Sequence, residues 1–275
     1  MAIIREKSPS GDDLRKLLRD VGSGFISPDE AFERLVVPDD PPPAAPERDV
    51  PGVRLDFARE DRKGVGEVVY CPGKSDEQLL FIAESIRERG ASMAFSRLSP
   101  EQAEMLSGRS GGMPPLVYNP ISRLGTINRR DVKPLCTVVI LSAGSSDIPI
   151  AEEAAGIAEF YGAAIKRFYD VGVSGLHRLL GILDELKDAD VIIVAAGMDG
   201  ALPSVVAGLV SCLVIGLPTS VGYGVAKDGR VALSSMLASC SPGLVVVNID
   251  NGIGAGLAAF IVAKQHSGRR RETLS

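Results

Sequence analysis

Four cysteines and two histidines are the side chains in this 275-residue chain best suited to nucleophilic and proton-transfer chemistry. Cys240 stands in Ala238-Ser239-Cys240-Ser241-Pro242-Gly243, where a helical stretch runs out just before a strand. A free thiol has a pKa of about 8.5 and is only a few per cent thiolate at neutral pH. The negative end of a helix dipole disfavours the thiolate further, so reactivity there needs a positive charge from the protein or its substrate. The competing reading is an inert, half-buried thiol. His177, in Gly175-Leu176-His177-Arg178-Leu179, is a candidate proton carrier or a structural side chain, and Asp170 is placed to cap that helix or orient the imidazole. Asp199, in Gly197-Met198-Asp199-Gly200, falls at a strand end, where a carboxylate would face a ligand. Cys71, Cys136 and Cys212 complete the set, with no CxxC pair and no zinc spacing. Free thiols in a reducing cytoplasm are the simplest expectation.

Positioning such residues requires a frame, and the apolar pattern supplies one. Runs at 136–141, 191–196, 213–217 and 244–248, with a weaker one at 164–169, are too short and continuous for surface helices. They suit strands buried on both faces of a sheet. Helical stretches follow at 149–161, 175–187, 201–210, 229–239 and 253–264. Five strand–helix repeats predict an α/β fold with a doubly wound parallel sheet, whose ligands sit beyond the carboxyl ends of the strands. Four of those ends carry glycine and short polar side chains. They are Ser142-Ala143-Gly144-Ser145-Ser146-Asp147, Gly197-Met198-Asp199-Gly200, Pro218-Thr219-Ser220-Val221-Gly222-Tyr223-Gly224 and Asn248-Ile249-Asp250-Asn251-Gly252. Small residues let backbone N–H groups approach a phosphate at a helix N-terminus, and the Ser145 and Ser146 hydroxyls add donors. Asp147 would repel a phosphate, so it caps the helix, moves protons or meets a cation; the bland alternative is a plain N-capped turn.

The remainder divides into three. Residues 1–51 predict a helical segment, 11–35, and a stiff proline-rich linker from Pro38 to Pro51. Residues 52–133 predict a small α/β unit, with strands at 67–70 and 92–96, a helix at 75–89 and irregular chain from 107 to 130. The catalytic domain is expected over 134–265 and a flexible tail, with Arg269-Arg270-Arg271, over 266–275. A net charge of −5 without a basic stripe argues against nucleic acid. No apolar run reaches a membrane-spanning length, and no secretory signal opens the chain. The helices at 201–210 and 252–263 are apolar nearly all round, which predicts a homo-oligomer.

Ser142 to Glu153, Asp170 to Leu180, Ala196 to Ser204, Pro218 to Gly224 and Val247 to Gly252 together resemble the AIR-carboxylase-like domain of the LarB family. In the small unit Asp56-Phe57-Ala58-Arg59, Arg62-Lys63-Gly64, Glu67-Val68 and Gly73-Lys74 also fit. The resemblance implies an enzyme that carboxylates the nicotinate ring of nicotinic acid adenine dinucleotide at C5. It also splits the phosphoanhydride, giving AMP and pyridinium-3,5-biscarboxylic acid mononucleotide for nickel-pincer cofactor synthesis. CO₂ or bicarbonate is the co-substrate, and Mg²⁺ would join Asp147 or Asp199 to the pyrophosphate. Cys240 matches the family nucleophile, and the cationic ring supplies the missing positive charge. Asp199 matches the family's acidic position, with His177 as an alternative proton carrier. The substrate-binding set carried over is Ser142, Gly144, Ser145, Ser146, Asp147, Gly197, Met198, Gly200, Thr219, Ser220, Gly222, Tyr223, Asn248, Asp250 and Asn251. Relatives of this fold form dimers that assemble into octamers. The chain departs from the family in having Asp199 where Glu is frequent, Ala238 where Asn is common, and a divergent stretch from Val225 to Arg230.

Two other functions compete. An aminoimidazole ribonucleotide carboxylase or mutase shares the fold but uses a histidine-bearing second loop, absent from Gly197 to Pro203. A non-catalytic nucleotide-binding regulator would not need Cys240 together with all four loops.

Overall fold

The computed structural model describes residues 11–35, 52–108, 115–129 and 132–273. The chain forms two compact units, Met1–Asp49 and Val50–Ser275. In the first, helix α1 (Gly11–Gly22) precedes α2 (Pro28–Leu35). Proline opens α2 as expected, and the Ser27 hydroxyl accepts from Glu30 N–H at 3.1 Å, an N-cap legible in Ser27-Pro28-Asp29-Glu30. The proline-rich linker expected over 38–51 lies outside the described residues.

The second unit begins with a four-stranded sheet. Its elements are α3 (Arg59–Lys63), β1 (Val68–Tyr70), α4 (Asp76–Glu88), β2 (Met93–Ser96), α5 (Pro100–Gly108), β3 (Val117–Asn119) and β4 (Leu124–Ile127). Strand order is β1-β2-β4-β3, with β1 and β2 parallel and the other pairs antiparallel. Helix α4 starts where Ser75 and Gln78 cap each other's N–H groups. Its Leu79, Ile82 and Ile86 pack on Phe95, Leu98 and Leu106. The expectation of irregular chain over 107–130 misses β3 and β4, although residues 109–114 lie outside the described set. Both strands are short, and Val117 on β3 faces solvent, so no period-2 pattern betrays them.

The larger sheet follows: β5 (Cys136–Ser142), α6 (Ile148–Phe160), β6 (Ala163–Phe168), α7 (Leu176–Leu180), α8 (Leu183–Leu186), β7 (Val191–Ala196), α9 (Leu202–Ala207), β8 (Leu213–Pro218), α10 (Arg230–Leu237), β9 (Leu244–Val246) and α11 (Gly252–Thr273). All five strands are parallel, in the order β6-β5-β7-β8-β9. Alternate strand residues serve opposite faces. Val138, Ile140 and Ile193 meet alanines of α6 and α11, whereas Val139, Leu141 and Val194 meet Leu179, Leu202, Val206 and Met236. Helices on both faces make the fold α/β and doubly wound, as the pattern predicts.

Three details differ from the sequence reading. The helix expected at 175–187 is broken into α7 and α8 around Gly181 and Ile182. Helix α11 continues to Thr273, so the chain from 266 is helical where the sequence predicts a flexible tail. The all-round apolarity of α11 is also satisfied within the chain. Its alanines face the large sheet and α6, and its Ile253 and Leu257 face the small sheet through Ala94 and Leu124. That helix therefore gives no reason of its own to expect an oligomer. Among the described residues no helix is long and apolar enough to cross a membrane.

Candidate active site

Strand order reverses between β5 and β7, and an open α/β sheet binds its ligands at the carboxyl end of such a switch point. A cavity of about 640 Å³ occupies that place. Four loops line it: Ala143 to Asp147 after β5, Gly172 to Ser174 after β6, Gly197 to Asp199 after β7, and Val221 to Tyr223 after β8. Close approach of these loops is what the glycines permit. A Cβ on Gly197 would lie 2.1 Å from the Val221 carbonyl oxygen, and one on Gly172 would lie 2.6 Å from that of Ala143. Met198 takes a left-handed backbone (φ 47) and its N–H donates to Val221 O at 3.0 Å. That bond ties the third loop to the fourth and turns Asp199 outward into the cavity.

Behind the lining, polar groups are spent on one another. The Thr219 hydroxyl donates to Asp147 Oδ1 at 2.6 Å and the Gly144 N–H to Asp147 Oδ2 at 2.9 Å. Burial pushes the Asp147 carboxyl up from its ordinary range, while Thr219 and the Gly144 and Gly197 N–H groups pull it back. Asp147 is thus a buried brace between loops, bonded to Thr219 and to the turn before α6, with no side-chain cap bond to α6 itself. Ser142 is also no ligand contact. It is fully buried, and its hydroxyl accepts from Asp170 N–H at 3.2 Å, joining the ends of β5 and β6. Asp250 Oδ1 accepts from Ser220 N–H at 2.8 Å, and Asn248 and Asn251 cap their own turn at Ile249 N–H and Gly254 N–H.

Of the residues singled out from sequence, Gly144, Ser146, Asp147, Gly197, Met198, Asp199, Gly222 and Tyr223 line the cavity. Ser145 is exposed just outside it. Gly200 sits behind, its hypothetical Cβ 2.7 Å from the Ala232 backbone, and Thr219, Ser220, Asn248, Asp250 and Asn251 support the walls. The binding set drawn from sequence omits Gly172, Val173 and Ser174, and also Ala143 and Val221, which stand in two of the loops it names. The strand-end rule applied to the weaker strand at 164–169 would find the first three. Asp199 Oδ1 also accepts from Ala201 N–H at 3.3 Å, so one carboxylate both steadies the turn before α9 and faces the cavity.

His177 and Cys240 lie elsewhere. His177 is exposed on α7 and does not line the cavity. Asp170 pairs with Arg178 and not with the imidazole. Cys240 follows α10, which runs back from the carboxyl edge, and precedes β9, so it lies toward the amino edge of the sheet. Its neighbour Ser241 donates its hydroxyl to Ser204 O at 2.8 Å. Cys240 is exposed, whereas Cys71 and Cys136 are buried and Cys212 is half-buried. Burial pushes the Cys71 thiol up to about 12 and that of Cys136 to about 11, and raises Cys212 as well. Of the four thiols, Cys240 is the exposed one. Among the described residues no three Cys, His, Asp or Glu side chains converge as a metal site.

Comparison with known proteins agrees with this geometry. Residues 48–130 match the family model of the LarB/PurE-like N-terminal domain and residues 137–275 that of AIR carboxylase. An uncharacterised protein of Methanocaldococcus jannaschii is 39% identical over 262 residues, covering 92% of this chain and 98% of that one. The N5-carboxyaminoimidazole ribonucleotide mutase of the same organism is 34% identical over 128 residues, 45% of this chain and 76% of that one. The crystal structure of Treponema denticola PurE covers 50% of this chain and 93% of its own, at 20% identity and a TM-score of 0.36. The second half of the chain is an AIR carboxylase-type domain, a doubly wound sheet with its cavity at the switch point. With the matching domain in front of it, the chain belongs to the LarB family.

Proposed function

We propose that the protein carboxylates the nicotinate ring of nicotinic acid adenine dinucleotide at C5 and hydrolyses its phosphoanhydride, releasing AMP and pyridinium-3,5-biscarboxylic acid mononucleotide. The observation that carries the chemistry is the exposure of Cys240, where two of the other thiols are buried and the third is half-buried. A pyridinium ring is too electron-poor to attack CO₂. When a thiolate adds to it, the new C–S bond pushes an electron pair toward the ring nitrogen and leaves an enamine whose C5 is nucleophilic. C5 then bonds CO₂, a base removes the C5 proton, and expulsion of sulfur restores the aromatic cation. Asp199 is the cavity's one carboxylate free of a buried bracing role, and is assigned that proton. His177, exposed and off the cavity, is set aside. Water cleaves the phosphoanhydride while the Gly144 and Gly197 loops hold the phosphates. Mg²⁺ would find Asp199 as its single protein carboxylate, beside substrate phosphates. Asp147 is withdrawn as a ligand by its hydrogen bonds, and no step here depends on the metal.

Cys240 does not line the cavity of its own chain, so the thiol that attacks the ring is assigned to a second copy. Exposed Leu237 near Cys240, and exposed Met198, Tyr223 and Val225 around the cavity, are apolar surfaces such a copy would cover. Incubation with the dinucleotide, bicarbonate and Mg²⁺, followed by mass analysis, should yield AMP and a mononucleotide with one added carboxylate. Absence of both products would discard this substrate. Mixing Cys240→Ala with Asp199→Asn, each strongly impaired alone, should restore turnover if thiol and base come from different copies. The similarity to the mutase supports a second reading, and N5-carboxyaminoimidazole ribonucleotide belongs in the same assay. No histidine lies in Gly197 to Pro203, which weighs against it.

A further inference from the structure

Arg97 follows β2 with a left-handed backbone (φ 58), a conformation an arginine adopts at a cost and only where its surroundings enforce it. Arg123 does the enforcing. Its Nη2 donates to Arg97 O at 3.2 Å, its Nε donates to Leu98 O at 3.0 Å, and its own carbonyl accepts from Leu98 N–H at 2.9 Å. The clamped turn sends the Arg97 guanidinium out of the small sheet. Nη2 donates to the backbone oxygen of Asp250. Nε lies 3.5 Å from Oε1 of buried Glu153, which also accepts from the Ser96 hydroxyl at 2.7 Å. The ring of Tyr70 lies 5.6 Å from the guanidinium carbon.

Asp250 passes the contact on. Its backbone is also left-handed (φ 54), its N–H donates to Pro218 O at 2.9 Å, and its Oδ1 accepts from Ser220 N–H at 2.8 Å. The next residue, Val221, accepts from Met198 N–H, and Asp199 follows Met198. Arg97, Asp250, Ser220, Val221 and Met198 thus form one unbroken series from the small sheet to the cavity carboxylate. We propose that Arg97 is a positioning residue, through which the N-terminal domain holds the Ser220–Tyr223 wall and the Asp199 turn in place. The small domain is then part of the site's framework and not an independent binding module. The inference rests on this cavity being the catalytic one, but its first test needs no substrate.

Hydrogen exchange on the full chain should show Arg97→Ala speeding exchange about 10-fold or more in peptides covering 197–201 and 218–224, with the β1 and β2 peptides unchanged. Arg97→Lys should fall between, because one ammonium can reach the Asp250 carbonyl but cannot also fork to Glu153. Asp250→Gly suits the left-handed backbone and removes the Ser220 acceptor, and should speed the same peptides. Arg97→Ala with Asp250→Gly should exchange no faster than the faster single variant, since links in series are not additive. Unchanged exchange at the two loops, or a rise spread throughout 68–96, overturns the proposal. If the wild type turns over the dinucleotide, Arg97→Ala should lower kcat/KM about 10-fold or more, with kcat falling as well as KM rising, because the Asp199 base and the Ser220–Tyr223 wall hang on the same series. A wild type that shows no turnover, with the exchange pattern intact, discards the substrate and leaves Arg97 in its role.

Discussion

The carboxyl-edge cavity and the corner that carries Cys240 are built on opposite plans. Behind the cavity walls the polar side chains are committed: Asp147 to Thr219 and Gly144, Asp250 to Ser220, Ser142 to Asp170. The loops are held by those bonds and by glycines that admit no Cβ, so the cavity has its shape before any ligand arrives. At Cys240 the thiol is bare, followed by Ser241-Pro242-Gly243 and adjoining exposed Leu237. One region is preorganised within a single chain, while the other is an exposed thiol that its own chain leaves uncovered. On the proposed mechanism, the difference teaches that a nucleophile and its binding pocket need not share a chain, even when both are written in one sequence.

Cys240→Ala is the sharpest way to test that division. It should abolish carboxylation and leave the melting temperature within a degree or two of wild type, because an exposed side chain contributes little packing. Product formed at near wild-type rate would remove the thiol from the mechanism. Asp199→Asn comes next. Removing a general base costs about 10²–10⁴-fold in rate, yet the amide oxygen can still accept from Ala201 N–H, so the turn should persist. A covalent Cys240–substrate adduct should then accumulate, visible by intact-mass measurement, and Asp199→Glu should keep substantial activity. Near-normal turnover in Asp199→Asn would leave only the turn-capping role.

Gly197→Ala attacks the preorganised region instead. With the Val221 carbonyl 2.1 Å from the new Cβ, the third and fourth loops must separate. Thermal or denaturant unfolding should show a loss of about 1–3 kcal/mol, the usual cost of overpacking. The same change at Gly224, whose Cβ would meet nothing within 4 Å, carries only the penalty of a left-handed backbone and should cost less.

The smallest effect concerns pH. Burial raises the Glu153 carboxyl, with Ser96 and Arg97 only partly offsetting it. A carboxyl raised in the folded state favours folding fully below its unfolded pKa, and loses that contribution as pH rises through the folded value. Stability should therefore decline over a window just above the ordinary carboxylate range, and Glu153→Gln should flatten that decline. A steeper decline in the variant would mean that the Arg97 pair dominates after all.

The large sheet was legible because strands buried on both faces must be continuously apolar, and 136–141, 191–196 and 213–217 are. The cavity loops followed from the rule that ligands collect at carboxyl strand ends. Other features were hidden for physical reasons. Strand β6 has a mixed pattern because it is an edge strand, with Lys166 and Arg167 reaching ion pairs, so the strand-end rule points less clearly to the loop after it. Helix α5 was missed although Ser99 and Gln102 cap each other much as Ser75 and Gln78 do, a signal visible in the sequence. The roles of Ser142 and Asp147 could not be read, since a short polar residue beside a glycine looks the same whether it faces a ligand or a neighbouring loop. The separation of Cys240 from Asp199 follows from helix direction: α10 must carry the chain back to the amino edge before β9 can start.

Helix α11 has a consequence for how the protein is made. Its Ala255, Ala259, Phe260 and Ala263 belong to the same core as Val138 and Ile140 of β5, the first strand of the large sheet. A Cβ on Gly256 would lie 2.5 Å from Ala154 O, so α11 also lies directly against α6, the first helix after that strand. The earliest and latest parts of the large sheet's chain thus close one face together. During synthesis, β5, β7 and β8 leave the ribosome with that face covered only in part, by α6, until α11 emerges. Apolar strands waiting in this way invite pairing between neighbouring nascent chains. Ribosome-bound chains stopped short of Ala255 should therefore lean on chaperones, and released full-length chains should not.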